Sequence, residues 1–205
     1  MIEPLQRPKT QPTAASNEAL NAPLFSSIIQ QIDPEQRCVI LDLGPARTET
    51  CALFGQFRCR LEIADLGDSL TFLNGEPEPE ILWKKADFVL PKKRREPADL
   101  ILCWDLLNYL DRPALAAIMG RVAERGRTGT LAHALIVYSS KKMTPSPGCF
   151  VPVDAQRLMK ANPDPETRDA PRYSPEDLAK FMPAYTVERG RLLRNGMQEF
   201  LFRVR

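Results

Sequence analysis

Four carboxylates of this 205-residue chain follow short apolar runs. Asp42 comes near the end of "CVILDL" and Asp65 near the end of "RLEIADL", while Asp87 and Asp105 follow "ILWKKA" and "DLILCW". Continuous apolar runs of this length predict strands that are covered on both faces. Ligands of open α/β sheets bind at the carboxyl ends of the strands, so we expect the four acids to border one ligand site.

The segment "VILDLGPARTET", residues 39–50, predicts a cofactor loop. Its apolar run ends in Asp42, the chain turns at Gly44-Pro45, and a helix is expected to follow. A loop that opens a helix presents backbone N–H groups and a positive dipole end to an anionic group. Asp65 lies 21 residues after Gly44, close to the spacing at which a carboxylate accepts ribose hydroxyls.

Strand-like and helix-like segments alternate along the chain, which predicts a mostly parallel sheet with helices on both faces. The predicted strands are "CVILDL", "RLEIADL", "ILWKKADF", "ADLILCWDLL" and "TLAHALIVYSS", followed by a hairpin that turns at Asn195-Gly196. The predicted helices are "APLFSSIIQQI", "TETCALFGQF", "SLTFLN", "DRPALAAIMGRVAERG" and "SPEDLAKFM". The fold class is therefore α/β, a Rossmann-like, seven-stranded, mostly parallel sheet with a C-terminal antiparallel hairpin.

The expected organisation is a disordered tail over 1–22 and one domain over 23–205, with a proline-rich insert or lid at 141–172. Hydrophobic residues make up 43% of the chain and the formal net charge is +2, so charge alone favours no nucleic-acid or membrane partner. Five dispersed cysteines without C-x-x-C spacing and a single histidine argue against a zinc site. They predict reduced, mostly buried thiols in a cytoplasmic protein. We expect His133, which lies mid-strand, to be a satisfied core residue rather than a base.

The order and spacing of these segments resemble the class I S-adenosylmethionine-dependent methyltransferases, from about residue 36 to 205. "VILDLGPAR" stands where that family has its first strand and a D-x-G-x-G-x-G loop, and Asp65 where it has an acid closing the second strand. "ADFVLP" is similar to the segment bordering the adenine, "ADLILCWDLLNYLDRPAL" to the fourth strand and its loop, and "LLRNGMQEFLFRV" to the terminal hairpin.

The resemblance implies S-adenosylmethionine as the cofactor. It places the cofactor contacts at Asp42, Gly44, Ala46, Asp65, Asp87, Phe88 and Cys103, and the substrate side at Trp104, Asp105, Asn108 and Tyr109. Ala46 and Thr48 replace two glycines of the family loop. A β-branched residue resists a positive φ, although the Thr48 hydroxyl is able to cap a helix or to contact the cofactor.

The implied activity is methyl transfer to a small-molecule acceptor, a reaction that needs alignment and exclusion of water more than a catalytic dyad. The chain lacks both the Asn/Asp-Pro-Pro-Tyr motif of many base-amine methyltransferases and the Pro-Cys pair of cytosine-carbon enzymes. The alternative is a non-catalytic module that binds protein or RNA through Lys92, Lys93, Arg94 and Arg95. A nicotinamide dehydrogenase fits less well, because its loop needs G-x-G-x-x-G.

The two main hypotheses predict different structures. An enzyme should have an open cleft beside Gly44, with the Asp65 carboxylate pointing into it. It should also have a partly apolar pocket roofed by the helix at 24–32 and the insert at 141–172. A binding module should have side chains such as Arg47 or Phe88 in the cofactor space.

Overall fold

A computed structural model describes residues 19–91, 96–148, 150–161 and 166–205. Its main sheet has six strands: β2 (Cys38–Asp42), β3 (Cys59–Ile63), β4 (Ala98–Trp104), β5 (Gly126–Val137), β10 (Tyr185–Leu192) and β11 (Met197–Val204). Their order across the sheet is β3-β2-β4-β5-β11-β10. The first four are parallel, and β11 and β10 form an antiparallel hairpin. The α/β class and the terminal hairpin are confirmed, whereas the described sheet has six strands rather than seven.

The prediction of a strand at "ILWKKADF" is wrong, because this segment lies in helix α4 (Pro79–Val89). Leu82, Ala86 and Leu90 are buried at intervals of four residues, which is the spacing of one helix face. Pro79 occupies the first turn, where its fixed φ and missing N–H are tolerated. These two signals were present in the sequence, but the run of Ile, Leu and Trp favoured a strand.

Helices cover both faces of the sheet, as predicted. The remaining helices are α1 (Pro23–Ile29), α2 (Thr48–Phe54), α3 (Leu70–Leu73), α5 (Arg112–Ala123) and α6 (Pro175–Phe181). Alternate residues of β4 face opposite layers: Leu100 and Leu102 pack in the layer of α1 and α2, while Ile101 and Cys103 pack in the layer of α4, α5 and α6. Two apolar layers therefore hold the carboxyl ends of the parallel strands in fixed positions.

Helix α1 is attached to the sheet by a buried carboxylate of the terminal hairpin. The Glu199 side chain accepts the backbone N–H groups of Leu24 at 2.9 Å and Phe25 at 2.7 Å. His133 Nε2 lies 2.9 Å from Glu199 Oε1, and neither side chain is exposed. His133 is thus a core residue with a partner, as expected, and Glu199 supplies acceptors to N–H groups that a helix start leaves unpaired.

The insert at 141–172 contains short strands in its described part. These are β6 (Lys142–Met143), β7 (Phe150–Pro152), β8 (Arg157–Lys160) and β9 (Arg168–Asp169). Strand β1 (Leu20–Asn21) pairs with β8, so residues 20–21 belong to the folded structure, while residues 1–18 of the predicted tail lie outside the described residues. Of the four described cysteines, only Cys103 is buried, which corrects the expectation of mostly buried thiols. No helix in the described part of the chain is long and apolar enough to cross a membrane.

Candidate functional site

Asp42 lies at the centre of the predicted cofactor loop. It ends β2 and is fully buried. Its Oδ1 accepts the Gly44 N–H at 2.9 Å and the indole N–H of Trp104 at 2.6 Å. Its Oδ2 is buried without a hydrogen-bond partner among the described residues. An unsatisfied buried carboxylate oxygen is costly, so this end of β2 holds a polar atom that a ligand donor would satisfy.

Burial raises the pKa of Asp42 to about 6, and the hydrogen bonds from Gly44 and Trp104 oppose that rise. The negative charge of Asp65 adds to it. Removal from water disfavours the charged form of an acid, and a nearby like charge does the same. Asp42 ends β2 and Asp65 follows β3, the neighbouring parallel strand, so both carboxylates lie at the same edge of the sheet.

Trp104 fills the space beside Gly44. The indole is almost fully buried, packs against Phe25 with ring centroids 6.0 Å apart, and lies so close that a Cβ at Gly44 would be 2.8 Å from its Cδ1. The space left between Gly44, Pro45 and Phe150 is about 20 Å³, far below the roughly 300–1,000 Å³ of small-molecule sites. The open cleft expected of an enzyme is absent, and a side chain occupies the space beside Gly44, as the binding-module hypothesis predicts, although that side chain is Trp104 rather than Arg47 or Phe88.

Trp104 also has an unusual backbone conformation, with φ of +49°. Positive φ is uncommon for residues other than glycine, and it costs about 1–3 kcal/mol where the surrounding structure enforces it. Asp65 has φ of +42°, which aspartate tolerates better because its short polar side chain forms local hydrogen bonds. Asp65, which follows β3, and Trp104, which ends β4, thus share a positive-φ backbone conformation, which changes the direction of their side chains.

The other residues of the predicted loop contribute less to the cleft. Asp65 and Ala46 are exposed, so the Asp65 carboxylate does not point into a closed pocket. Thr48 is the first helical residue of α2 and is exposed, whereas Arg47 occupies the cap position without a side-chain hydrogen bond. Of the two roles considered for the Thr48 hydroxyl, capping of the helix is therefore not observed. Cys103 is buried below the cleft, and burial raises the pKa of its thiol.

Asp87 and Phe88 lie in α4 rather than at a strand end, so neither lines the cleft. The Asp87 carboxylate forms an ion pair with Arg121 of α5, and the Phe88 side chain is 80% exposed and contacts Phe72. Their assignment as adenine contacts is corrected, because it depended on a third strand that the described chain does not form.

A second, larger cavity of about 690 Å³ opens at the carboxyl ends of β4 and β5. Residues from the insert, the N-terminal segment 19–23 and the terminal hairpin form its walls, whereas no residue of the helix at 24–32, the other part of the predicted roof, is among its lining residues. Apolar, polar and cationic side chains all contribute. They include Leu20, Pro23, Val137, Met143, Phe150, Leu193 and Met197, then Asp105, Tyr109, Ser140, Thr144 and Asn195, and finally Lys142, Lys160, Arg191 and Arg194.

Asp105 connects the two spaces, since it borders both the Gly44 cleft and the large cavity. Its Oδ2 accepts the Gly148 N–H at 2.8 Å. Burial raises the pKa of Asp105 to about 6, against the effects of the Gly148 hydrogen bond and the positive charge of Lys160. A carboxyl group that titrates near neutral pH at a cavity wall is a candidate for proton exchange with a ligand.

A chain of polar contacts continues from Asp105 along the cavity. The Tyr109 hydroxyl lies 2.9 Å from Thr144 Oγ1, and Lys160 Nζ donates to the same Thr144 oxygen at 2.9 Å. The Arg168 guanidinium lies 5.0 Å from the centroid of the Tyr109 ring. Asp105 and Tyr109 thus lie on the same cavity wall, next to Thr144, Lys160 and Arg168, which the insert supplies.

Asn108 is a structural residue rather than a substrate contact. It is fully buried, and its amide donates to the carbonyls of Asp105 at 2.8 Å and Leu135 at 2.9 Å. Its Oδ1 accepts the Val137 N–H at 2.8 Å. Through these bonds the Asn108 amide joins the end of β5 to the turn after β4. The placement of Asn108 on the substrate side is therefore corrected.

Sequence reasoning missed Thr144, Lys160, Arg191 and Arg194, which line this cavity, and Gly148, which donates to Asp105. No local signal marked these residues, because the cavity forms only when the insert and the hairpin pack over the strand ends. Lys92, Lys93, Arg94 and Arg95 lie outside the described residues. Within the described ranges, no group of three or more His, Cys, Asp or Glu side chains is arranged to hold a metal ion.

The chain is similar to solved structures of methyltransferases. One is the 1,6-didemethyltoxoflavin-N1-methyltransferase of Burkholderia thailandensis with bound S-adenosylhomocysteine (17% identity, 88% of this chain, 76% of that chain, TM-score 0.48). Another is the magnesium protoporphyrin IX methyltransferase of Synechocystis with bound S-adenosylmethionine (9%, 89%, 78%, 0.48). A third is a glycopeptide N-methyltransferase with S-adenosylhomocysteine (10%, 89%, 89%, 0.49). No protein-family model and no curated protein matches the chain.

Proposed function

We propose that this chain transfers a methyl group from S-adenosylmethionine to a small-molecule acceptor. The observation that carries the proposal is the contact between the two spaces: Asp105 and Phe150 border both the Gly44 loop and the cavity of about 690 Å³. A donor site and an acceptor site must adjoin for methyl transfer, because the step needs the two reactants held in line. When bound, the cofactor supplies a methyl group on a positively charged sulfur.

The residues proposed to hold the cofactor are Asp42, Gly44, Ala46, Asp65 and Cys103. The unpartnered Asp42 Oδ2 suits a ligand N–H or ammonium donor, and the exposed Asp65 carboxylate suits ribose hydroxyls. For the cofactor to bind beside Gly44, the Trp104 indole would have to leave Asp42. Its positive φ and the orphaned Asp42 oxygen are two local costs that such a movement would relieve.

On the acceptor side, the proposed residues are Asp105 and Tyr109. The raised pKa of Asp105 allows it to accept a proton from an acceptor near neutral pH, and the polar chain through Thr144 holds Tyr109 at the cavity wall. Trp104 is reassigned from the acceptor wall to the barrier between the two spaces.

The test is a calorimetric titration with S-adenosylmethionine and S-adenosylhomocysteine, joined to fluorescence. Trp83 and Trp104 are the two tryptophans of the chain, so Trp83→Phe leaves emission from Trp104 alone. Binding should change that emission as the indole leaves Asp42. Asp65→Ala should weaken binding by about 1–3 kcal/mol, the scale of hydrogen bonds to a charged group. Asp87→Ala is the matched control and should bind as the wild type does, since Asp87 pairs with Arg121 in α4.

A second candidate is a non-catalytic methyltransferase-like protein that binds its ligand or partner without the cofactor. The Trp104 side chain beside Gly44 and the absence of the predicted third strand from the described sheet favour it. If neither the wild type nor Trp104→Phe binds S-adenosylmethionine or S-adenosylhomocysteine, the methyl-transfer proposal is wrong and this second candidate replaces it.

A further inference from the structure

Positive side chains outnumber acids around the large cavity. Lys142, Lys160, Arg191 and Arg194 line it, and Asp105 is the only acid among its described lining residues. Lys142 is neutralised by Asp169, whose Oδ1 lies 2.8 Å from Lys142 Nζ. The remaining three cations against one carboxylate leave the cavity with a positive potential, which favours an anionic ligand.

Lys160 and Asp105 balance each other at the inner end of the cavity. Gly148 lies between them: a Cβ added there would be 2.9 Å from Lys160 Nζ and 3.0 Å from Asp105 Oδ2. The positive charge of Lys160 opposes the rise in the pKa of Asp105. The excess positive charge therefore lies toward the other end, at Arg191 and Arg194.

Arg191 and Arg194 flank the mouth of the cavity, one in β10 and the other in the hairpin turn, and both are exposed. Neither forms an ion pair with an acid in the described part of the chain, unlike Arg203 of the same hairpin, which pairs with Glu188 at 2.6 Å. Two guanidinium groups whose donors are not committed to a protein carboxylate match the oxygen atoms of a carboxylate or phosphate.

The rest of the wall defines the other part of the ligand. Val137, Met143, Phe150 and Met197 present apolar surface, and the cavity of about 690 Å³ is within the range of roughly 300–1,000 Å³ found for small-molecule sites. An inorganic ion would leave most of this apolar surface uncovered. A molecule with an apolar body and one anionic group would contact both kinds of wall.

We propose that the large cavity binds a small organic anion, with its carboxylate or phosphate group at Arg191 and Arg194 and its apolar body against Phe150 and Met197. The role of this ligand as the methyl acceptor rests on the proposed methyl transfer. The binding itself requires no cofactor and is measured without one.

The experiment compares 2-naphthoate, its neutral amide 2-naphthamide, and 2-naphthyl phosphate by calorimetry on the full chain. Both anions should bind to the wild type, and the amide should bind about tenfold or more weakly, since charged hydrogen bonds are lost. The double variant Arg191→Gln/Arg194→Gln should lose about tenfold or more of the affinity for the anions. Arg189→Gln, on the same strand but outside the cavity lining, is the matched control and should retain wild-type affinity.

Equal affinity for 2-naphthoate and 2-naphthamide would overturn the inference. Unchanged anion binding in the double variant, with a thermal melt that shows it is folded, would overturn it as well. Preference for one anion over the other distinguishes a carboxylate from a phosphate ligand. If the anions bind but S-adenosylmethionine does not, methyl transfer fails and the anion site stands. If S-adenosylmethionine binds and the anions do not, the anion site is wrong and the proposed methyl transfer stands.

Discussion

The indole N–H of Trp104 donates to Asp42 Oδ1 at 2.6 Å, across 62 positions of sequence, and joins the carboxyl ends of β4 and β2. This hydrogen bond closes the place where a ligand would approach Gly44. It also accompanies a positive φ at Trp104 and an unpartnered oxygen on Asp42. The contact is therefore a barrier to the proposed cofactor, and its loss on binding would relieve these unfavourable interactions.

Trp104→Phe should tighten the binding of S-adenosylhomocysteine. The ring is retained, but the hydrogen bond to Asp42 is lost, and a bond to a charged group contributes about 1.5–3 kcal/mol. The closed form becomes less favourable by that amount, so affinity measured by calorimetry should rise by about tenfold or more. Trp83→Phe, which changes a partly exposed indole on α4, is the control. Equal or weaker binding in Trp104→Phe would mean that the indole does not gate the site.

Gly44→Ala should destabilise the protein, whereas Gly67→Ala should not. A Cβ at Gly44 would lie 2.8 Å from Trp104 Cδ1 and 3.3 Å from Asp42 Oδ1, both of them buried groups that cannot move freely. Overpacking of this kind costs about 1–3 kcal/mol. At Gly67 the nearest atom is Asp65 Oδ1 at 3.7 Å, an ordinary contact. Urea unfolding of both variants measures the difference, and equal loss in the two would contradict the close packing of Trp104.

The stability difference between Asp42→Asn and the wild type should depend on pH. Burial raises the folded-state pKa of Asp42 from its ordinary 3.8 to about 6. The folded state therefore binds more protons than the unfolded state between about pH 4 and pH 6, so the wild type loses stability as pH rises through that window. From about pH 4 to pH 7, the free energy of unfolding of the wild type should therefore fall relative to that of the asparagine variant by on the order of 3 kcal/mol.

This shift is measured as the difference in the free energy of unfolding at several pH values, which cancels the titration of groups that do not interact with Asp42. The asparagine has unsatisfied donors of its own, so the slope with pH, rather than the value at any one pH, is the test. A difference that stays constant across the window would show that Asp42 titrates near its ordinary value.

Glu199→Ala should detach helix α1 from the sheet. The change leaves the N–H groups of Leu24 and Phe25 without their acceptor and removes the partner of His133. Breaking one side of a buried polar network costs about 3–5 kcal/mol. Unfolding in urea measures the loss, and hydrogen exchange at Leu24 and Phe25 should accelerate. Glu188→Ala, which removes a partly exposed pair with Arg203, should cost about 0–1 kcal/mol.

Much of the fold follows from local signals in the sequence. The apolar runs of β2, β4 and β5 form strands because they are buried on both sides, and Asn195-Gly196 turns the terminal hairpin. Asp111 caps α5 by accepting the Ala114 N–H at 2.9 Å, and Ser174 with Asp177 forms the capping box of α6. These features involve residues that are neighbours in sequence, so pattern and spacing were sufficient to predict them.

The sequence by itself determined the mixed sheet, the loop at Gly44 and the positions of Asp42, Asp65 and Asp105 at or just after strand ends. Only the tertiary structure decided that Trp104 occupies the space beside Gly44 and that Arg191 and Arg194 border a cavity with Lys160. The φ of Trp104 and the contacts of the insert depend on packing between segments far apart in the chain. Such packing is set by the shape and burial of all the layers together, and no local pattern of residue types encodes it.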